Sequence, residues 1–168
     1  MTCDLILMRH AKSDWNDPDL SDHDRPINKR GRKSARAIGS WLKVHKFEPD
    51  EILCSSATRA QQTLGKVQEY IGYNARSKTD PNLYLAEVRT MLAVLKMATG
   101  NCVMMVGHNP GMALFVAGMC NAPSLHPDFN HYPTCATTVL RFPISNWSDI
   151  TIGTGELLDF VAPKQLLG

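Results

Sequence analysis

The stretch that decides the fold is Cys102-Val103-Met104-Met105-Val106, followed at once by Gly107-His108-Asn109-Pro110. Five consecutive apolar residues with no polar alternation read as a strand buried on both faces, which is the habit of strands inside a parallel sheet. Its clear burial makes it the expected centre of that sheet. Asn109-Pro110 reads as a helix start, with Asn as cap and Pro at the first helical position, opening a helix through Leu114, Phe115 and Val116 towards Met119.

Working outward, the same strand-then-helix grammar repeats. Leu5-Ile6-Leu7-Met8 reads as a strand, and after a polar, Asp- and Pro-containing stretch (Asp14 to Pro26), Ala35, Ile38, Trp41 and Leu42 recur at helical spacing up to about His45. Ile52-Leu53-Cys54 makes another strand. Ser56 is a candidate N-cap for a helix through Ala60, Leu64 and Val67 to about Tyr70, closed by Gly72. Glu87 to Met97 carries Met91, Leu92 and Leu95 on one face. Three prolines break the segment Asn121 to Thr134 into an expected surface loop, and Thr137 to Phe142, Asp149 to Gly153 and Glu156 to Phe160 read as late strands that need not be parallel. The expected fold is a three-layer α/β/α sandwich with a mostly parallel central sheet, built as one domain over residues 1–168.

Bulk properties narrow the function classes. With 43% hydrophobic and 20% charged residues the chain has an ordinary globular composition, and a net charge of +2 gives no general call for nucleic acid. The basic run Lys29, Arg30, Arg32, Lys33, Arg36 falls largely on one helix and reads as a solvated face. Five cysteines form no CxxC pair and an odd count, which argues against a disulfide framework or a zinc site. The start of the chain lacks the pattern of a signal peptide, and no apolar run is long enough for a membrane span, so a cytoplasmic address is the default.

Chemistry concentrates at the ends of the strands. Arg9-His10 follows the first strand, Arg59 lies just inside the helix after the second, and His108 follows the central one. Ligands of open α/β sheets bind beyond the carboxyl ends of the strands, so these junctions can converge although they are far apart in sequence. Helix starts at Ser56 and Asn109 would aim backbone N–H groups at the same place. Such a cage suits a phosphoryl group. Arginine clamps its oxygens with a planar, permanently charged fork. A neutral imidazole, His10, can attack phosphorus and form a phosphoenzyme that water then opens. A protonated His108 would complete the cage as a hydrogen-bond donor.

The blocks Arg9-His10-Ala11-Lys12-Ser13-Asp14-Trp15-Asn16, Asp24-Arg25-Pro26-Ile27, Ser55-Ser56-Ala57-Thr58-Arg59-Ala60-Gln61-Gln62-Thr63 and Gly107-His108-Asn109-Pro110 together resemble the histidine phosphatase (phosphoglycerate mutase-like) superfamily, and in particular its SixA-type phosphohistidine phosphatase branch. Ala11 stands where the family signature has glycine. The resemblance implies a phosphoglycerate mutase-like fold, His10 as the phosphorylated nucleophile, and Arg9, Arg59 and His108 as phosphate ligands. Ser13, Asn16 and Asn109 would assist substrate binding, and neither metal nor organic cofactor is implied. The implied substrate is a phosphorylated protein or a small phosphorylated molecule, with phosphohistidine favoured. Larger relatives protonate an alcohol leaving group with a carboxylic acid, and only Glu87 lies in a comparable region.

Two other readings compete. A small-molecule phosphomonoesterase would depend on Glu87 or another acid, whereas a phosphate-binding or protein-interaction module would keep the pocket without turnover. Cys54 and Arg59 do not fit a thiol phosphatase, since four residues separate them where five are needed. The acid and histidine groups at Asp22-His23-Asp24 and His126 to His131 read as solvated loop residues, and Trp15 is close enough to His10 to line its pocket.

Overall fold

The computed structural model describes residues 1–168. Six strands form one sheet in the order β3-β2-β4-β1-β5-β6: β1 (Cys3–Arg9), β2 (Glu51–Ser55), β3 (Arg76–Asp80), β4 (Cys102–Gly107), β5 (Thr137–Phe142) and β6 (Glu156–Val161). β1, β4, β2 and β3 run parallel, while β5 and β6 extend the sheet antiparallel. The central place expected for the Cys102 strand is observed.

The period-two geometry of strands divides each apolar run between two cores. Ile6, Met8, Ile52, Met104 and Val106 face α1 (Lys29–Val44) and α2 (Thr58–Ile71), packing on Ile38, Leu42, Leu64 and Val67. Leu5, Leu7, Leu53, Val103 and Met105 face α3 (Val88–Lys96) and α4 (Gly111–Met119), packing on Leu95, Met112, Phe115 and Val116. The helices therefore sandwich the sheet. Each fully buried aliphatic side chain contributes about 1.5–3 kcal/mol relative to exposure. No helix is long and apolar enough to cross a membrane.

Several expectations are corrected. Ser56 does not cap α2: the cap residue is Ala57, whose backbone N–H is taken by Ser55 Oγ at 3.2 Å, while Thr58 N–H binds the His23 carbonyl at 3.0 Å. That helix start does not offer these amides to a ligand. α4 begins at Gly111 with Pro110 as its cap residue, and Asn109 instead accepts from Ala113 N–H at 3.2 Å. Asp149 to Gly153 is no strand, because a 3-10 turn over Trp147–Asp149 buries Trp147 and Ile150 and leaves Ile152 exposed, and Gly153 turns the chain at φ +78. The segment before β5 is not wholly superficial, since Phe129 and Tyr132 are buried in the α3–α4 core. β3 and a terminal helix, α5 (Pro163–Leu167), lack any apolar period and were not expected.

Candidate active site

Because β1, β2 and β4 are parallel, their carboxyl ends share one edge of the sheet, and Arg9-His10, Ser55 with the start of α2, and Gly107-His108 meet there. His10 N–H donates to the Gly107 carbonyl at 3.0 Å, tying β1's exit to β4's, and Cys135 N–H donates to the His10 carbonyl at 2.9 Å. α1 closes in from the side: a Cβ at Gly31 would collide with the Lys12 carbonyl, so only glycine lets the helix approach the loop behind His10. Arg9, His10, Arg59 and His108 all line one cleft of about 300 Å3.

Hydrogen bonding fixes the state of His10. Nδ1 lies 2.8 Å from the Ala11 carbonyl, which can only accept, so Nδ1 carries the proton and Nε2 keeps its lone pair. Arg59 Nε–H donates to that Nε2 at 3.3 Å. Burial, then the charges of Arg59, Arg9 and Arg25, lower the His10 pKa to about 4, against a hydrogen bond to Ala11 that raises it. The ring is a neutral imidazole whose Nε2 electron pair accepts from Arg59.

His108 stands 5.1 Å away, centroid to centroid. Its Nε2 is 2.7 Å from Ser55 Oγ. Since Ser55 Oγ accepts from Ala57 N–H, its hydroxyl proton can go to Nε2, which places the remaining ring proton on Nδ1. Burial, followed by the proximity of His10 and Arg59, lowers its pKa to about 3. In the free enzyme His108 therefore offers a donor as a neutral ring, its cationic neighbours opposing protonation.

The guanidiniums are held by one carboxylate that the sequence reading left in solvent. Asp22 binds Arg25 Nη2 through Oδ1 at 2.6 Å and Arg59 Nη2 through Oδ2 at 3.0 Å, and its carbonyl accepts from Arg59 Nη1 at 2.6 Å. Tyr84 hydroxyl also donates to Oδ2, while its ring meets His108 edge-on at 5.4 Å. The Tyr84 hydrogen bond, with those of Arg25 and Arg59, holds the Asp22 carboxyl well below the usual carboxylate range. Arg9 Nη1 is anchored on the Tyr132 carbonyl at 3.2 Å, and the Arg25 guanidinium lies 3.4 Å over the Trp15 ring.

Three buried side-chain nitrogens have no hydrogen-bond partner in the protein: Arg9 Nε, Arg25 Nε and His108 Nδ1. All three residues line this cleft. Buried donors are costly unless an acceptor meets them, and donors gathered among guanidiniums call for an anion with several oxygens. A wider groove of about 510 Å3 between β2–β3 and α3 is lined by charges of both signs, Glu51, Lys78, Asp80 and Arg89, and holds none of these donors.

The subsidiary residues divide. Ser13 lines the cleft and accepts from Arg25 Nη1 at 3.0 Å. Asn109 also lines it, but its carboxamide splints the backbone, donating to the Tyr132 carbonyl at 3.0 Å. Asn16 and Glu87 do not line it; both are exposed. Trp15 is 71% exposed and stands at the rim with Leu85, which adopts φ +49. Asp22, Tyr84 and the contacts of Arg25 were missed in the sequence. The Asp22–Arg25 spacing of three was the available signal, yet a loop without periodicity gave no way to aim it.

Residues 5–88 match the family model of the histidine phosphatase superfamily (branch 1). The chain belongs to that superfamily. An uncharacterised protein of Mycobacterium tuberculosis is 32% identical over 164 residues, covering 94% of this chain and all of that one. Phosphohistidine phosphatase SixA of Escherichia coli is 28% identical over 120 residues, 69% of this chain and 73% of SixA. The structure of a candidate phosphohistidine phosphatase SixA from Nakamurella multipartitia superimposes with a TM-score of 0.84 at 27% identity, covering 97% of each chain. The fold is phosphoglycerate mutase-like, and the protein is a phosphohydrolase acting on phosphorylated substrates.

Proposed function

We propose that this enzyme removes phosphoryl groups from protein phosphohistidine through a covalent phosphohistidine at His10. Nε2 of neutral His10 attacks phosphorus in line, the bond from phosphorus to the substrate ring nitrogen breaks, and its electron pair stays with the departing ring. Arg9, Arg25 and Arg59 hold the phosphoryl oxygens, and His108 donates from Nδ1. Water then opens the phosphorus–Nε2 bond, releasing inorganic phosphate and restoring neutral His10.

The observation that carries the choice of substrate is the absence of a carboxylic acid from the cleft. No Asp or Glu lines it, Asp22 is held ionised by Tyr84 and two arginines, and Glu87 lies outside. An alkoxide leaving group needs a proton as it departs. An imidazole already protonated on its other nitrogen leaves as a neutral ring and needs none. The three guanidiniums supply the positive charge that the transfer requires, so turnover in a chelator is expected.

The test is to incubate wild type and His10→Ala with a phosphohistidine protein in a chelator, following phosphate release and trapping acid-labile phosphoenzyme by rapid quench. Release with trapped phosphate on wild type alone is expected, with alkyl phosphates far slower. Alkyl phosphates turned over as fast as phosphohistidine, or release undiminished in His10→Ala, would overturn the proposal.

A further inference from the structure

A second concavity of about 280 Å3 adjoins the catalytic cleft, and Lys12 and Thr134 line both. Besides Lys12 it draws on three further parts of the chain: Arg30 from the start of α1, Asp128 and His131 from the loop before β5, and Lys164 from α5. Lys12, Arg30 and Lys164 face a single carboxylate, Asp128, which pairs with Lys164 at 3.4 Å. Arg30 and Lys12 have no carboxylate partner, and both are exposed. Positive charge thus continues from the phosphoryl cage over the Lys12–Thr134 saddle into the side basin.

We infer that this basin binds acidic side chains of the polypeptide that carries the phosphoryl group, and so selects substrates with Asp or Glu close to the phosphorylated residue. The inference rests on the reading of the protein as a protein phosphohistidine phosphatase. A chain whose phosphoryl group sits among Arg9, Arg25 and Arg59 must leave the cleft across its rim, and Lys12 and Thr134 form the part that opens into the basin. The basin's cations are exposed and long, and it holds none of the buried unpartnered donors that mark the phosphoryl site. A tightly bound second phosphate would call for such fixed donors. Mobile carboxylates on a flexible segment are met adequately by mobile cations.

The test compares kcat/KM for two phosphohistidine peptides, one with Asp and Glu beside the phosphorylated residue and one with Ser and Gln there, together with the same two sequences carrying phosphotyrosine. Wild type should favour the acidic member by roughly tenfold at low salt, a few exposed ion pairs' worth, and the preference should shrink as salt rises. Arg30→Glu/Lys164→Glu should cancel or invert the ratio, and Arg30→Gln/Lys164→Gln should reduce it. The ratio is internal to each preparation, so a partly folded variant does not distort it. An equal ratio in wild type and both variants would overturn the basin. If only the phosphotyrosine pair is hydrolysed, with the acidic preference present, the phosphohistidine reading falls and the basin stands. If a small aryl phosphate is hydrolysed and no peptide is, both fall.

Discussion

Acid should silence this enzyme far later than an ordinary histidine nucleophile would allow. At pH 5 an imidazole of pKa about 6.5 is roughly 3% neutral. Held at about 4, as burial and three nearby guanidiniums hold His10, it is about 90% neutral. The competent fraction of the nucleophile at pH 5 therefore differs by about thirtyfold between the two cases. The assay is kcat/KM for an aryl phosphate between pH 4 and 8, a ratio that reports the free enzyme, after removing the substrate's own separately titrated ionisation. His10 and His108 are 5.1 Å apart, so the acid limb belongs to the pair; with His108 held at about 3 it should still bend near pH 4. A limb bending near pH 6.5 would refute the reasoning. It would mean that water or an opposing carboxylate reaches His10, contrary to its 7% exposure and its cation neighbours.

The same depression predicts a pH-dependent stability. Between about pH 4 and 6.5 the unfolded chain binds protons that folded His10 refuses, so the contribution is complete above 6.5 and is lost as pH falls towards 4. His10 alone accounts for about 3 kcal/mol, and urea midpoints at pH 7.5 and 4.5 should show a loss that His10→Gln diminishes. Asp22→Asn should leave buried Arg25 and Arg59 without their shared counter-charge, lowering stability by about 1–2 kcal/mol given that Asp22 is half-exposed. Inorganic phosphate should restore more thermal stability to that variant than to wild type; an equal gain would count against the anion role of the cleft. Arg59→Lys removes the donor to His10 Nε2 and the fork on Asp22, and kcat/KM should fall by roughly a hundredfold in a protein that remains folded by circular dichroism.

How far the sequence could be read depended on what kind of force placed each residue. β1, β2 and β4 are announced by unbroken apolar runs because both their faces are buried, and His10, Arg59 and His108 are located by standing at the exits of those strands. β3 reads Arg76-Ser77-Lys78-Thr79-Asp80 and is exposed except for Asp80; as an edge strand it owes its existence to pairing with β2, which leaves no imprint on residue pattern. Asp149 to Gly153 shows the opposite failure, since isoleucines two apart imitate a strand while the burial of Trp147 dictates a turn. Asp22 was set aside for a similar reason. Its loop is polar and aperiodic, and only the tertiary approach of Arg59, Arg25 and Tyr84 turns a surface acid into the clamp of the site.

That clamp resolves a tension in the chemistry. A histidine nucleophile needs an unprotonated nitrogen, yet the transferring phosphoryl group needs intense positive charge at the same spot. If the charge came from titratable groups, one demand would defeat the other. Here it is borne by arginines, which stay charged, and their field together with burial drives protons off His10 and His108. Asp22 binds Arg25 and Arg59 from outside the cleft lining, so it orients the guanidiniums without placing a carboxylate against the incoming phosphoryl oxygens. The same arrangement leaves no carboxylic acid in the cleft lining. On the proposed reading, an enzyme built this way gives up leaving groups that need a carboxylic acid to protonate them and is suited to those that carry their own proton.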